Sequence, residues 1–146
     1  MIIRDIDALS SQIKDKAKKT IADMNADEKL KKLGAQGVVV IETIRQLVTQ
    51  MAYFARGRMD TDDVRSIFYA AGLWELSDME AKQKVTWTLK SKHIDGLAID
   101  IAPIRNGRVW WGAQPSVWER MGEIGEANGL KWGGRWKQKD TPHFES

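Results

Sequence analysis

The spacing of hydrophobic residues changes along this chain from a helical period to short β-branched runs, and this change constrains the fold most strongly. Residues 38–41 are Val-Val-Val-Ile, a β-branched run typical of a buried strand. Helical signals come early and strand signals cluster late, which predicts a single α+β domain with a small, mainly antiparallel sheet and helices packed against it. The early signal is a stripe of apolar residues three or four positions apart: Ile6, Leu9, Ile13, Ala17, Ile21 and Met24.

Capping residues mark the helices. Asp27 is placed to cap a short second helix, and Asp60 or Thr61 can cap a later helix that runs through Ala71. Between them, the pattern predicts a helix over residues 46–56. Helices are therefore predicted on both sides of the first strand, and most of the strand signals come later in the chain.

Strands and one tight turn follow in the second half. We predict strands over residues 85–89 and 97–101. Asn106-Gly107 is a strong two-residue hairpin signal, so the segment after it should pair back on the strand before it. Pro115 is placed to start a last helix, and the remaining tail should be mostly loop with one short strand.

Composition excludes several classes of protein. The chain has no cysteine, which rules out disulfides, thiolate zinc sites and a cysteine nucleophile. The net charge is +3, and the sequence has no dense run of lysine and arginine. This favours an ordinary charged surface over a nucleic-acid binding site. Charged Arg4, Asp5 and Asp7 follow Met1 closely, and no stretch approaches the roughly 20 apolar residues of a membrane span. We therefore expect a protein first kept in the cytoplasm, without stable membrane insertion.

The only two histidines, His93 and His143, both lie near aspartates. A catalytic zinc site needs about three His, Asp or Glu ligands and one open position. Asp100 lies in the apolar run Leu-Ala-Ile-Asp-Ile-Ala, where an unpaired carboxylate would be costly, whereas Asp95 lies in an Asp-Gly turn and can be solvated. The sequence therefore predicts one Zn²⁺ ion held by His93, Asp100 and His143.

A general base is predicted beside this site. Asp140 lies three residues before His143 and can face an attacking water without binding the metal. Glu145 is a competing candidate, because alternation in a short strand would place it on the same face as His143. A Ser91, His93 and Asp100 triad is conceivable, but no nucleophile elbow surrounds the serine.

These residues form a pattern that resembles a known superfamily. The motif Ser-x-His-x-x-Gly-x-Ala-x-Asp is similar to the first metal motif of the zinc DD-peptidase superfamily. Its residues here are Ser91, His93, Gly96, Ala98 and Asp100. That superfamily includes D-Ala-D-Ala carboxypeptidases and phage L-alanyl-D-glutamate endopeptidases, and the hedgehog signalling domain shares its fold. The resemblance implies a fold of the hedgehog and DD-peptidase type.

The second motif of that superfamily, Asp-x-x-His, is matched by Asp140 and His143. In the family, both histidines and the aspartate of the first motif bind zinc, and the acidic residue three before the last histidine is the base. The resemblance thus implies that Asp140, rather than Glu145, is the catalytic base.

Other segments resemble the endopeptidase branch in particular. Residues 130–136, Leu-Lys-Trp-Gly-Gly-Arg-Trp, are similar to its Trp-Gly-Gly segment. Arg45 and Gln50 are similar to its Arg-Ser-x-x-x-Gln signature, which residues 54–58 follow. The chain departs from the family at Gln46, where a small residue is usual.

Roles beyond the metal site follow as hypotheses. Arg45 can stabilise the oxyanion of the reaction, or it can form a structural ion pair at a helix start. Gln50 is expected to brace this region. Ser91 can hydrogen-bond a ligand, or it can cap a turn. Trp132 and Trp136 flank glycines that allow close backbone approach, and they are candidates for the walls of a peptide groove.

We expect one zinc peptidase domain over residues 1–146, with a helical segment over about 1–34 and a metal-binding core over about 38–146. The resemblance implies a zinc-dependent hydrolase of bacterial peptidoglycan that cleaves the L-Ala–D-Glu bond, as a bacteriophage endolysin does in host lysis. We expect a monomer without a nucleic-acid partner. The alternatives are a D-alanyl-D-alanine carboxypeptidase and a non-catalytic zinc domain of the same fold.

Overall fold

Five antiparallel strands form one sheet in the computed structural model, which describes all residues from Met1 to Ser146. The strand order is β1-β2-β5-β4, and β3 pairs with β2 alone. The strands are β1 (Val38–Glu42), β2 (Ala98–Arg105), β3 (Arg108–Val109), β4 (Lys131–Trp132) and β5 (His143–Glu145). The helices are α1 (Ser11–Ala26), α2 (Glu28–Lys32), α3 (Leu47–Ala55), α4 (Thr61–Ala70), α5 (Asp78–Lys82) and α6 (Pro115–Ala127).

The register of the sheet brings distant acidic and basic side chains together. In β2, Asp100 lies opposite His143 of β5 on one side and opposite Glu42 of β1 on the other. The β1–β2 register shifts between Val40 and Glu42, and such an irregularity bends a strand locally. The middle of β2 is therefore the place where three strands contribute polar side chains.

The main hydrophobic core lies between the sheet, α1 and α6. Two glycines of α6 allow this helix to pack closely against the aromatic side chains of β4 and β5. A Cβ atom added to Gly122 would lie 2.3 Å from the indole of Trp132, and one added to Gly125 would lie 2.4 Å from the ring of Phe144. Both aromatic rings are buried, so any larger residue at these glycines would push α6 away from β4 and β5.

A second, smaller core forms among α3, α4 and α5. Phe68 of α4 is its largest buried side chain, packed with Val64 and with alanines of α3 and α5. Tyr53 and Trp74 stand against Phe68, with ring centroids 6.0 Å and 5.2 Å from it. The aromatic cluster therefore places Tyr53 at the border of this core.

The α+β prediction, with a mainly antiparallel sheet, is confirmed. The hairpin turn is also confirmed, because Asn106 and Gly107 both have positive φ angles, 54° and 73°. The returning strand, Arg108–Val109, is shorter than the segment expected to pair back. No helix of the chain combines the length and the apolar character needed to cross a membrane.

The strand predicted over residues 85–89 is wrong, because the segment is irregular. Its backbone oxygens are bound by side chains instead of a neighbouring strand. Gln50 Nε2 donates to the Thr88 carbonyl at 2.8 Å, and Arg58 Nη2 donates to the Thr86 carbonyl at 2.9 Å. The segment has the β-branched residues that favour a strand, but no neighbouring strand forms backbone hydrogen bonds with it.

Candidate metal centre

His93, Asp100 and His143 meet on one face of the sheet. Asp100 lies in β2, His143 begins β5, and His93 lies in the turn before β2. One ligand atom from each side chain lies within 4.8 Å of the other two. The carboxylate atom Asp100 Oδ1 is 3.2 Å from His93 Nε2 and 3.2 Å from His143 Nδ1. The residues predicted as ligands are therefore brought together.

The far nitrogen of each imidazole faces an oxygen that accepts hydrogen bonds. His93 Nδ1 lies 2.6 Å from the carbonyl oxygen of Thr43, and His143 Nε2 lies 2.8 Å from Glu145 Oε1. A carbonyl or an ionised carboxylate only accepts, so these two nitrogens are the donors. In a neutral imidazole the other nitrogen then carries a lone pair, which points here towards Asp100.

The donor set fits a zinc ion. When both imidazoles are neutral, their two lone pairs and one carboxylate oxygen point at the same place, where either a bound cation or protons on the rings can offset their repulsion. Two nitrogens and one oxygen are typical ligands of catalytic zinc, which keeps a further position open. We conclude that His93, Asp100 and His143 can hold such an ion.

Charges around the centre shift its titrating groups. Burial raises the pKa of Asp100, but hydrogen bonds from His143 and His93 outweigh burial and hold the pKa below its usual range. Burial lowers the pKa of His143, but the hydrogen bond and negative charge of Asp100 outweigh this and raise the pKa. Asp100 is therefore ionised at neutral pH, as a metal ligand must be.

Asp140 and Glu145 have different surroundings. Asp140 Oδ2 lies 3.9 Å from His143 Nδ1, its side chain is 49% exposed, and its carboxylate accepts no hydrogen bond. Burial and the negative charge of Asp100 raise the pKa of Asp140. Glu145 is occupied, because it accepts from His143 and forms an ion pair with Lys92 at 3.2 Å. Of the two candidate bases, only Asp140 presents an unoccupied carboxylate to the cleft.

Arg45 forms the structural ion pair that was one of its two predicted roles. Its Nε and Nη2 donate to the two oxygens of Glu42 at 2.9 Å and 2.7 Å. Its Nη1 donates to Gln50 Oε1 at 2.6 Å, so Gln50 braces the guanidinium as expected. Three of the five guanidinium N–H groups are used in this way, and two remain for a ligand.

The other predicted site residues are placed as follows. Ser91 Oγ accepts from the His93 backbone N–H at 3.3 Å, which is the capped turn rather than a ligand contact. Both ring nitrogens of His93 face other groups, so no Ser–His nucleophile pair is formed. Trp136 is 41% exposed, lines the cleft and lies 5.0 Å from the His143 ring.

The groove-wall hypothesis is wrong for Trp132. This side chain is only 4% exposed and belongs to the main core. Its Nε1 donates to the Thr141 carbonyl at 2.8 Å, which holds the loop between Asp140 and His143. Trp132 therefore supports the site from behind, while Trp136 faces the cleft.

A cleft of about 380 Å³ surrounds the centre. The sequence did not indicate several of its walls, because burial and facing direction depend on tertiary packing. Glu42 could have been found from the sequence, because an acidic residue three positions before Arg45 is a candidate partner for its guanidinium. The lining residues that sequence reasoning missed are Glu42, Tyr53, Arg56, Trp74, Val85, Thr86, Thr88, Lys90 and Lys92.

Comparison with known proteins agrees with this geometry. Residues 84–146 match the model of a family described as D-alanyl-D-alanine carboxypeptidase. The matched segment contains all three candidate ligands and Asp140. This segment is similar to that family.

The fold has a counterpart among solved structures. The crystal structure of Serratia marcescens L-Ala D-Glu endopeptidase ChiX is similar, with a TM-score of 0.58 and 17% sequence identity. The alignment covers 99% of this chain and 87% of that chain. At this identity the likeness shows a shared fold, and it agrees with the predicted DD-peptidase-type architecture.

Proposed function

We propose that this chain is a zinc-dependent peptidase that hydrolyses the stem peptide of bacterial peptidoglycan at the L-Ala–D-Glu bond. The observation that carries the proposal is the convergence of His93 Nε2, Asp100 Oδ1 and His143 Nδ1, with the Asp140 carboxylate beside them. The family match over residues 84–146 and the fold shared with an L-Ala D-Glu endopeptidase support it.

Each side chain has a role in this proposal. A zinc ion held by His93, Asp100 and His143 would polarise the scissile carbonyl and acidify water at neutral pH. Asp140, whose carboxylate accepts no hydrogen bond from the protein, would accept a proton from the attacking water and later deliver it to the leaving amine.

The cleft walls orient the peptide. Arg45 presents two unused N–H groups towards the cleft, and we propose that they stabilise the negative charge that develops on the substrate. Trp136 provides an exposed apolar face beside His143, against which a peptide backbone or a small side chain can pack.

Mass spectrometry of digested peptidoglycan tests the proposal. The purified protein with zinc should generate new L-alanine C-termini and D-glutamate N-termini, and a chelator should abolish both. A protein that binds zinc stoichiometrically yet releases no fragment would instead be a non-catalytic zinc domain, and the proposal would be wrong.

One second candidate, a D-alanyl-D-alanine carboxypeptidase, is favoured by the description of the matching family. It shares the metal site and the base, so the geometry of the centre does not separate the two activities. The same digestion does, because release of free D-alanine without new internal termini would identify the carboxypeptidase.

We further propose that the protein acts as a phage endolysin in host lysis, as a monomer that stays in the cytoplasm until it reaches the wall. Its proposed chemistry is that of wall degradation, which supports this role. Expression in the bacterial cytoplasm should be tolerated, and turbidity should fall only when a membrane pore is supplied. Lysis without any pore would contradict this setting.

A further inference from the structure

Arg56 is a buried cation in the wall of the same cleft that contains the candidate metal centre. Only 7% of the residue is exposed, yet no carboxylate oxygen lies within 4.0 Å of its guanidinium nitrogens. Its Nε donates to the backbone carbonyl of Glu80 at 2.8 Å, and its two terminal nitrogens make no hydrogen bond to the protein. The donors that remain therefore face the cleft.

Two other partly buried arginines of the chain, Arg45 and Arg120, have anionic partners. Arg45 is bound by both oxygens of Glu42, and Arg120 is bound by both oxygens of Asp27. A buried guanidinium without an anion is costly, because burial removes water that nothing replaces. Arg56 has no anionic partner, and burial lowers its pKa.

Glu80, whose backbone carbonyl accepts from Arg56, does not pair with it through its carboxylate. Its carboxylate accepts hydrogen bonds from the Ser77 backbone N–H at 3.1 Å and from Trp74 Nε1 at 3.3 Å. Only its backbone oxygen reaches Arg56. No carboxylate of the protein therefore pairs with Arg56, and its terminal nitrogens remain open to an anion that enters the cleft.

Tyr53 adds a second unused donor. It precedes Arg56 by three positions in the chain, lines the same cleft, and its hydroxyl makes no hydrogen bond to the protein. Burial raises the pKa of Tyr53 to about 12, so the hydroxyl keeps its proton at neutral pH. Trp74, whose ring centroid lies 6.1 Å from that of Tyr53, also lines the cleft here.

We propose that Arg56 and Tyr53 form a subsite that binds a free carboxylate of the peptide substrate. A guanidinium can hold a carboxylate through two parallel hydrogen bonds, and a phenol can add a third. The inference rests on the proposed function and deepens it, because it assigns two residues of the cleft to one carboxylate of the substrate. Two carboxylates qualify: the α-carboxylate of the D-glutamate after the scissile bond, and the C-terminal carboxylate of the peptide.

Three versions of one stem peptide distinguish these sources. The first has both carboxylates free, the second has the D-glutamate α-carboxylate amidated, and the third has the C-terminus amidated. Amidation of the recognised group should raise the KM of the parent enzyme about 30-fold or more, because a buried charged group loses its partner. Amidation of the other group should change KM by less than about threefold.

Substitution of Arg56 should give the matching loss. Arg56→Met should raise KM for the free peptide by the same factor and should not discriminate against the amidated peptide, as expected for two groups that interact directly. Tyr53→Phe should give a smaller loss, and kcat should change less than KM in both variants. Arg65→Met is the matched control, since Arg65 pairs with Asp78 on the surface.

Several outcomes would overturn the subsite. One is a parent enzyme that cleaves all three peptides with similar KM, and another is an Arg56→Met variant that loses the same factor on every peptide. If Arg56→Met does not fold, judged by circular dichroism, Arg56→Lys and Tyr53→Phe take its place.

Failure of the proposed function is distinguishable from failure of the subsite. If the parent protein cleaves none of the peptides with zinc present, the function is wrong, and calorimetric binding of the same peptides then tests the subsite. Equal affinity for the free and amidated peptides would reject it.

Discussion

The two imidazoles of the candidate centre are oriented from behind by different acceptors, and one of them can be removed. Glu145 holds His143 Nε2 at 2.8 Å, so Glu145→Ala should release the ring and weaken zinc affinity about 10- to 100-fold. Glu145→Gln keeps an oxygen acceptor and should lose less. Competition with a chromophoric chelator measures the affinity.

Glu75→Ala is the control for this experiment, because Glu75 is exposed and lies outside the cleft. A Glu145→Ala variant that binds zinc as tightly as the parent would show that zinc binding by His143 does not depend on the hydrogen bond to Glu145. The backbone acceptor of His93, the Thr43 carbonyl, cannot be removed by substitution in the same way.

Asp140 gives the second prediction at this scale. Asp140→Asn keeps the size of the side chain but cannot accept a proton, so turnover should fall about 100-fold or more while zinc stays bound. Fragment release from peptidoglycan and metal analysis of the same sample check both parts. Parent-rate digestion by this variant would place the base elsewhere.

At the scale of elements, Asp27 links α2 to α6. It caps α2 by accepting from the Leu30 backbone N–H at 2.9 Å, and both its oxygens bind Arg120 of α6, at 3.0 Å and 2.6 Å. These hydrogen bonds hold the pKa of Asp27 below its usual range. Asp27→Asn should therefore lower the free energy of unfolding at pH 7 by about 1–3 kcal/mol.

The pH dependence of this loss follows from the sign of the shift. A folded-state pKa below the unfolded value stabilises the fold at pH values above the unfolded pKa, and this contribution disappears as pH falls through the folded pKa. The difference between parent and Asp27→Asn should thus shrink below about pH 4. Urea unfolding at pH 7 and pH 3 measures it, and a difference that grows in acid would contradict the assignment.

How far the sequence predicts these elements depends on how local their causes are. The cap at Asp27 and the turn at Asn106 are local, and both were recognisable from a few residues. The segment 85–89 was not, because its backbone is held by Gln50 and Arg58 from another part of the chain. Arg56 was also missed as a site residue, since the absence of a partner is a property of the packed structure.

The whole molecule has two hydrophobic cores, and residues from both sides line the cleft. Asp100 and His143 belong to the sheet of the larger core, whereas Tyr53 packs on the smaller one. All candidate ligands come from the sheet or from the turn that leads into it. Zinc should therefore stabilise the sheet directly, and it should stabilise the smaller core only through the contacts between that core and the sheet.

Scanning calorimetry tests this arrangement. A ligand at 100 times its dissociation constant adds about 2.7 kcal/mol to the native state. For a chain of this size we expect the Tm to rise by about 5–10 °C with zinc, relative to a chelated sample. One transition is expected in both samples if the proposed single domain is correct, and two separate transitions would contradict it.

The irregular segment 85–92 contains two side chains that belong to neither hydrophobic core. Gln50 Nε2 and Arg58 Nη2 donate hydrogen bonds to the main-chain oxygens of Thr88 and Thr86. The backbone of the segment is therefore held in place without contributions from all of its own side chains. Val85 and Trp87 are both largely exposed, and neither belongs to either core. Substitutions at Val85 and Trp87 should therefore leave both cores intact, and a library confined to these two positions would sample new peptide preferences without changing the residues that hold His93 and His143.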